Sequence, residues 1–124
     1  MGSVGRSKEE YRYHATTAPA LVGIYRDGLK PSKRGMFGKS VYMSDSEKKA
    51  LDWAAETTEG NKLLRVNMSY LKEKTDYADL DNTQGLTTKK IPTKHIEIKN
   101  WQGEWESLES YAKRYWRSFG IKKP

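Results

Sequence analysis

Strict alternation of apolar and polar side chains is the first pattern along this chain, and it predicts β-strands. Three segments show it in whole or in part, at Tyr11–Thr16, Lys62–Met68 and Ile91–Lys99, and Ser40–Met43 is predicted to be a further short strand. Pro92 lies near the start of the last segment, where its missing N–H disturbs a strand least. We therefore expect a fold in which strands supply much of the core.

Apolar residues recur at helical spacing in three other segments. The first helix is predicted to begin at Thr17 and end at Gly28. A second follows the sequence Ser44–Glu47, which has the S-x-x-E form of a capping box, and continues toward Gly60. An aromatic stripe from Trp105 to Phe119 predicts a third helix at the end of the chain.

The remaining segments are predicted to be loops. Pro31–Lys39 is basic and contains glycines, and Lys72–Thr88 is polar and rich in turn-forming residues. Met1–Lys8 has no periodicity and is expected to be a flexible lead-in, followed by a single domain over residues 9–124. A chain of 124 residues is long enough for one modest core.

Composition narrows the possible chemistry. The chain has no cysteine, which excludes disulfides, thiolate metal ligands and a cysteine nucleophile. Its two histidines, His14 and His95, are far apart, so no metal site is expected. No apolar run approaches the roughly 20 residues that span a bilayer. The net charge of +7 favours phosphate-bearing partners such as nucleic acid or a nucleotide.

The aromatic stripe near the end of the chain has two interpretations. Interleaved aromatic and basic residues are typical of nucleic-acid binding, whereas regular helical spacing is typical of core packing. We favour core packing for the aromatic residues. The opposite side, with Lys113, Arg114 and Arg117, is then a candidate phosphate-binding surface.

Several common catalytic motifs are missing, including G-x-S-x-G, the phosphate-binding G-x-x-x-x-G-K-[ST] and a G-x-G-x-x-G that opens a helix. Three other segments stand out instead. They are His14-Ala15-Thr16 at the end of a predicted strand, Gly28-Leu29 after a helix, and the run Met36–Asp45, MFGKSVYMSD.

These segments resemble the poly(ADP-ribose) polymerase catalytic domain and its diphtheria-toxin-like relatives, which include bacterial polymorphic-toxin ADP-ribosyltransferases. The resemblance covers roughly Tyr11–Met68, with a weaker match at Ile91–Ile98. It implies an α+β fold with two packed antiparallel-rich sheets around a cleft for NAD and with flanking helices. It also implies that NAD is consumed as a substrate, without a metal.

The resemblance assigns the NAD-binding residues. His14 would donate a ring N–H to a ribose hydroxyl, and the main chain of Ala15 would hold the carboxamide, whose donor and acceptor it matches. Tyr42 would stack on the nicotinamide. The rest of the cofactor-binding set is Thr16, Gly38 and Trp53, the last standing where the family has a second stacking tyrosine. Ala50 stands where a serine often helps to hold the carboxamide.

The third catalytic residue of the family is usually a glutamate that opens a late strand. Here the best-matching position holds Lys94, whose charge would repel the cationic transition state. Glu97 from a shifted register is the preferred substitute, with Gln84 next and Asp81 also possible. A fourth interpretation is a domain that binds NAD without turning it over.

The resulting expectation is a mono-ADP-ribosyltransferase toxin domain, an enzyme of the glycosyltransferase class that releases nicotinamide. RNA or another nucleic acid is slightly favoured as acceptor by the basic charge, with protein nearly equal. One alternative is an inactive module that binds NAD, ADP-ribose or a partner. The other is an NAD-dependent RNA 2′-phosphotransferase, a family that needs several phosphate-binding arginines around its histidine, whereas only Arg12 lies near His14 in this sequence. We expect a monomer that acts in the cytoplasm of a target cell, secreted within a larger delivery protein and opposed by an immunity protein.

Overall fold

The structure is a computed structural model that describes residues 10–35, 38–57, 60–81 and 83–124. Eight strands and four α-helices form this part of the chain. The strands are β1 (Tyr11–Thr16), β2 (Ser32–Gly35), β3 (Gly38–Ser44), β4 (Lys62–Asn67), β5 (Ala78–Asp79), β6 (Gln84–Thr87), β7 (Ile96–Lys99) and β8 (Trp105–Ser107). The α-helices are α1 (Ala18–Asp27), α2 (Glu47–Thr57), α3 (Met68–Lys74) and α4 (Leu108–Arg114). The lead-in predicted over Met1–Lys8 lies outside the described residues.

The strands form one antiparallel sheet, in the order β5-β6-β3-β1-β4-β7-β8, with β2 paired to β3. The α+β class is therefore confirmed. The two packed sheets that we expected are instead a single sheet in the described residues, because β4 pairs with β1 on one side and β7 on the other. No helix of the described residues is long and apolar enough to cross a membrane.

One face of the sheet carries the main core. Alternate residues of the central strands, including Leu64, Val66, Ile96 and Ile98, are almost fully buried there. Helices α1, α3 and α4 add apolar side chains to the same cluster. Helix α2 covers the other face, because its buried Ala50 and Ala54 lie outside that cluster and it packs against β1 and β3.

Helix α1 has the boundaries that its capping residues predict. The Thr17 hydroxyl accepts a hydrogen bond from the Ala20 N–H at 3.2 Å, and Gly28 ends the helix at φ 84°. A side chain at Gly28 would also collide with the Ile91 carbonyl, at 2.4 Å from its Cβ. That close approach allows Leu29 and Ile91 to exchange backbone hydrogen bonds.

The capping box predicted at the start of α2 is wrong. The helix begins at Glu47, and Ser46 is the residue whose hydroxyl accepts from the Lys49 N–H, at 3.2 Å. Glu47 does not reach back to the main chain as predicted. Its carboxylate forms an ion pair with Lys99 at 2.7 Å, which connects α2 to β7.

Both predicted loops contain regular structure. Pro31–Lys39 includes β2 and the first residues of β3, which pair as a hairpin. Lys72–Thr88 contains the end of α3 and the strands β5 and β6. Gly85 of β6 has no room for a side chain, since its Cβ would lie 2.2 Å from the Tyr77 hydroxyl. Tertiary packing over β6 thus makes a strand from a segment of turn-forming composition.

Two predictions in the last third of the chain are also wrong in part. Within Ile91–Lys99, a 3-10 helix at Thr93–His95 precedes β7, because the Thr93 hydroxyl donates to the Ile24 and Tyr25 carbonyls at the end of α1. Trp105 belongs to β8 and not to the final helix. The aromatic residues of that segment do pack in the core, including Tyr111 and Phe119.

Asp76 ties the end of β6 to the residues before β5. Its carboxylate accepts hydrogen bonds from the Thr87 hydroxyl at 2.5 Å, the Thr88 N–H at 2.8 Å and the Thr88 hydroxyl. The Thr87 hydrogen bond, followed by those from Thr88, lowers the pKa of Asp76 from 3.8 to about 2. A depressed pKa in the folded state stabilises the protein above the unfolded value, and this stability is lost as the pH falls through about 2.

Asp76→Asn is therefore expected to lower the free energy of unfolding at pH 7 by about 1 kcal/mol, a modest value because the group is exposed. Urea denaturation at pH 7 and at pH 2 measures the effect, which should shrink at the lower pH. Asp52→Asn is the matched control, since Asp52 pairs only with Lys48 on the exposed side of α2. An equal loss in both variants at pH 7 would contradict the assignment.

Candidate functional site

The candidate site lies where strands β1 and β3 separate. Six consecutive residues of β1 pair with β4, from Tyr11 to Thr16. On its other side, β1 pairs with β3 at Tyr13 and Ser44 alone among the described residues. Beyond that pair the two strands diverge, so the edge of β1 at Ala15 and Thr16 is not covered by β3.

The His14 imidazole lies at this opening. Its Nδ1 is 2.8 Å from the Tyr42 carbonyl oxygen. A carbonyl can only accept, so Nδ1 carries the proton and donates. In a neutral ring the other nitrogen, Nε2, is then an acceptor. The expected donation of an N–H from His14 to a ribose hydroxyl is accordingly reversed, and the geometry favours a hydroxyl donating to Nε2.

Burial favours this neutral form of His14. Desolvation lowers the pKa of His14 below 6.5, opposed by its hydrogen bond to the Tyr42 carbonyl. The imidazole is therefore uncharged at neutral pH. An uncharged ring adds no repulsion toward a cationic sugar, which a protonated histidine at the same place would do.

Tyr42 comes from the strand on the other side of the opening. Its side chain is half-buried, and its hydroxyl donates to the Gly38 carbonyl at 3.1 Å. Gly38 has φ 88°, a conformation that favours glycine. The predicted roles of Gly38 and Tyr42 thus fall on one strand, β3, where the glycine backbone helps to fix the phenol ring. Met36 and Phe37 of the same motif lie outside the described residues.

Ala15 and Thr16 extend the site along β1. Ala15 is half-buried and the Thr16 side chain is buried. Their position on the uncovered edge of β1 suits main-chain contact with a bound amide. Trp53 lies on α2, the helix that packs against β1 and β3, and it is 51% exposed although tryptophan is usually well buried. That exposure fits a ring that lines a cleft.

Gln84 lies next to Tyr42 on the sheet. It is the first residue of β6 and pairs directly with Ser44 of β3. Because side chains alternate along a strand, Gln84 and Tyr42 share a face as diagonal neighbours, about 7–8 Å apart. The Gln84 side-chain amide has no hydrogen-bond partner within the described ranges of the chain. It is available to contact a ligand.

Asp81, the other candidate from this segment, binds the main chain of its own turn. Its carboxylate accepts from the Thr83 N–H at 2.6 Å and the Gln84 N–H at 2.9 Å. These backbone hydrogen bonds lower the pKa of Asp81. The residue holds the turn that begins β6 and so positions Gln84.

Glu97 lies away from the opening, contrary to its predicted catalytic position. Three strand spacings separate β7 from β3, roughly 14 Å. Its carboxylate accepts from Arg65 at 2.7 Å, and the guanidinium of Arg65 lies 3.7 Å from the Tyr11 ring centre and 4.4 Å from that of Trp105. Glu97 is thus part of a cation–aromatic cluster on β1, β4, β7 and β8.

The match of Lys94 to the family's glutamate is likewise not supported by the fold. Lys94 is in the 3-10 helix and not in a strand. The strand beside Tyr42 is β6, which we had predicted to be part of a loop. Sequence alternation in Gln84–Thr87 was too short to reveal it.

The predicted basic surface near the end of the chain is partly neutralised. Arg114 forms an ion pair with Glu106 and lies 5.5 Å from the Tyr115 ring centre. Arg117 lies 5.1 Å from the Trp116 ring centre, and Lys113 is exposed. These residues remain a candidate nucleic-acid surface, apart from the opening at His14.

Arg12 does not present a phosphate-binding guanidinium at His14. Its Nε donates to the Tyr77 hydroxyl at 3.2 Å, another nitrogen donates to the Tyr11 carbonyl, and it lies 4.0 Å from Asp79. These contacts give no support to the phosphotransferase alternative, which requires phosphate-binding arginines.

A comparison of the chain with protein-family models and with curated proteins finds no match to either.

Proposed function

We propose that this domain is an NAD-dependent mono-ADP-ribosyltransferase that acts on a macromolecule. One observation carries the proposal: at the edge of β1 that β3 leaves unpaired, the imidazole of a neutral His14 lies within hydrogen-bond distance of the Tyr42 main chain. The register places the His14 side chain on the face of Leu64 and the side chains of Tyr42 and Gln84 on the other face, so a ligand that contacts all three extends through the opening between β1 and β3. His14 and Tyr42 are 28 residues apart in sequence, and the contact between the imidazole and the Tyr42 main chain supports a role for both motif segments in binding one ligand. The resemblance in His14-Ala15-Thr16 and Met36–Asp45 supplies the reaction class.

The reaction separates nicotinamide from its ribose. The bond between ribose C1′ and the nicotinamide nitrogen breaks, and its electron pair stays on the nitrogen, which becomes neutral. An oxygen or nitrogen of the acceptor then forms the new bond to C1′ and loses its proton to solvent. The sugar is cation-like in between, so groups that fix it without adding positive charge lower the barrier.

Each residue has a role in this proposal. His14 accepts a ribose hydroxyl proton at Nε2, the main chain of Ala15 binds the carboxamide, and the Tyr42 ring stacks on the pyridine. Trp53 covers the ring from α2. Gln84 takes the place of the family's glutamate, because its amide oxygen can accept from the ribose hydroxyl and its dipole can face the developing charge. Its lack of charge favours a single transfer over polymer synthesis.

Labelled NAD tests the proposal directly. Incubation of the domain with NAD labelled in the adenylate phosphate and with total cell extract should place the label on a macromolecule and release nicotinamide. Ribonuclease and protease digestion then identify the acceptor as RNA or protein. If NAD is bound but neither cleaved nor transferred, the domain is the inactive binding module.

We further propose delivery by a larger secreted toxin into a target cytoplasm, which the resemblance alone supports.

Substitution of Tyr42 distinguishes its ring from its hydroxyl. Tyr42→Phe retains the ring and removes the hydroxyl that donates to the Gly38 carbonyl, so KM for NAD should change less than threefold, roughly the contribution of half a typical hydrogen bond. Tyr42→Ala removes the stacking surface, and KM should rise about tenfold. Steady-state nicotinamide release measures both. Equal KM values in the two variants would exclude stacking by Tyr42.

A further inference from the structure

Trp101 is the most exposed large hydrophobic residue in the described part of the chain, with 75% of its surface accessible. It lies in the turn between β7 and β8. A single exposed apolar residue is ordinary, but one that lies on a hydrogen-bonded turn beside a cavity and a cation indicates binding. Hydrophobic periodicity does not predict this exposed ring, because Trp101 stands among polar residues.

The turn holds Trp101 in place. The Asn100 side-chain oxygen accepts from the N–H groups of Gln102 and Glu104, both at 3.0 Å. The Gly103 N–H donates to the Asn100 carbonyl, and the Asn100 amide donates to Glu106 at 2.9 Å. A tryptophan on such a turn loses little conformational freedom when it binds a ligand.

A cavity of about 250 Å³ adjoins this turn. Trp101, Lys62, Lys99 and Asn61 are among the residues that line it, with Glu47 and Leu51 of α2 opposite. This volume is below the roughly 300–1,000 Å³ of pockets that enclose a whole small molecule. It suits one unit of a longer ligand.

The charge of the cavity favours a phosphate-bearing ligand. Lys99 is neutralised by Glu47 at 2.7 Å. Lys62 lies 4.5 Å from the Trp101 ring centre, and within the described ranges it has no carboxylate partner. A flat ring with an adjacent unneutralised cation is the combination that binds a base and its phosphate in single-stranded nucleic acid. The whole chain, at +7, adds a long-range attraction.

The cavity is close to the candidate site. Lys62 pairs directly with Thr16 of β1, two residues after His14 and about 7 Å farther along the strand. A strand of nucleic acid that rests on Trp101 can therefore continue toward the opening between β1 and β3.

We propose that Trp101 and Lys62 bind a nucleotide of single-stranded nucleic acid, the acceptor of the transfer reaction. The acceptor role rests on the proposed function, whereas the binding does not require NAD. Lys62 Nζ lies over one face of the Trp101 ring, so the opposite face stacks on a base and Lys62 contacts the adjoining phosphate.

Fluorescence anisotropy of a fluorescein-labelled, mixed-sequence 12-nucleotide RNA tests the site in the absence of NAD. Trp101→Ala is expected to raise the Kd at least fivefold, and Trp101→Phe less than twofold. Lys62→Ala should weaken binding and reduce the slope of log K against log salt concentration by about 0.7. Lys72→Ala is the control, because it removes the same charge from an exposed position of α3.

An unchanged Kd in Trp101→Ala would overturn the site, as would equal losses in Lys62→Ala and Lys72→Ala. Circular dichroism of each variant verifies folding. Failure of the proposed function would look different, since RNA would bind through Trp101 yet acquire no label from NAD.

Discussion

His14→Ala is expected to reduce NAD-dependent labelling by about 100-fold or more while the domain remains folded. The variant removes the nitrogen that we propose accepts from a ribose hydroxyl, and it removes the 2.8 Å hydrogen bond that fixes the ring against the Tyr42 carbonyl. Removing one preorganised hydrogen-bonding group from an active site costs a factor of this size. Nicotinamide release and label transfer, each measured at saturating NAD, give the two rates.

His95→Ala is the matched control for this experiment. His95 is the second histidine of the chain and stacks on Tyr70 with ring centres 3.9 Å apart. Its loss should cost about 1 kcal/mol of stability and leave turnover unchanged. Comparable losses of activity in the two variants would show that the effect of His14→Ala is structural and would remove the main support for the proposed site.

The pH dependence provides a second test of the His14 assignment. The proposed mechanism requires a neutral imidazole, and the lowered pKa of His14 keeps the ring neutral at pH 7. Activity should therefore be constant above pH 6.5 and decline as the pH falls through the pKa of His14 in the folded protein. A rate that rises on acidification from pH 7 to pH 6 would contradict an acceptor role.

Gln84→Ala is expected to lower kcat by about 100-fold, with a smaller change in KM. Gln84 is adjacent to Tyr42 on the sheet and its amide has no partner in the described part of the chain, so its removal leaves the fold intact. Gln84→Glu should restore activity and could permit addition of more than one ADP-ribose, because a carboxylate accepts more strongly than an amide. Gel mobility of the labelled product reports the number of units added.

Glu97→Gln separates the two candidates for the third residue. Glu97 pairs with Arg65 at 2.7 Å, far from Tyr42 on the sheet, so this variant should retain its kcat and lose at most about 1 kcal/mol of stability. A loss of kcat in Glu97→Gln that exceeds the loss in Gln84→Ala would return the catalytic assignment to β7.

Elements set by contacts between neighbouring residues in the sequence were predicted, and elements set by contacts between distant residues were not. Strand β1 and helix α1 were predicted with nearly correct boundaries, because alternation and the caps at Thr17 and Gly28 are local signals. Strand β6 was missed because four residues with a central glycine show no clear period. The 3-10 helix was missed because Thr93 contacts the end of α1, which is about 70 residues earlier in the chain.

The site was predictable to the same extent. His14 and Tyr42 were selected through their motif, and in the fold the His14 imidazole contacts the Tyr42 carbonyl, while strand alternation places the two side chains on opposite faces of the sheet. Their roles toward NAD stay predictions. Glu97 was preferred over Gln84 because a carboxylate suits a cationic transition state, but strand order decides which side chain lies beside Tyr42. Residue type predicts chemistry, whereas only the register of β3 and β6 could place Gln84 there.

The outer strands of the sheet have a consequence for association between copies of the chain. The two ends of the strand order are β5, with two residues, and β8, with three. Short outermost strands offer few free backbone groups for another molecule to extend the sheet. The domain is thereby protected against growing into intermolecular β-structure at these edges, even at the high local concentrations that accompany synthesis.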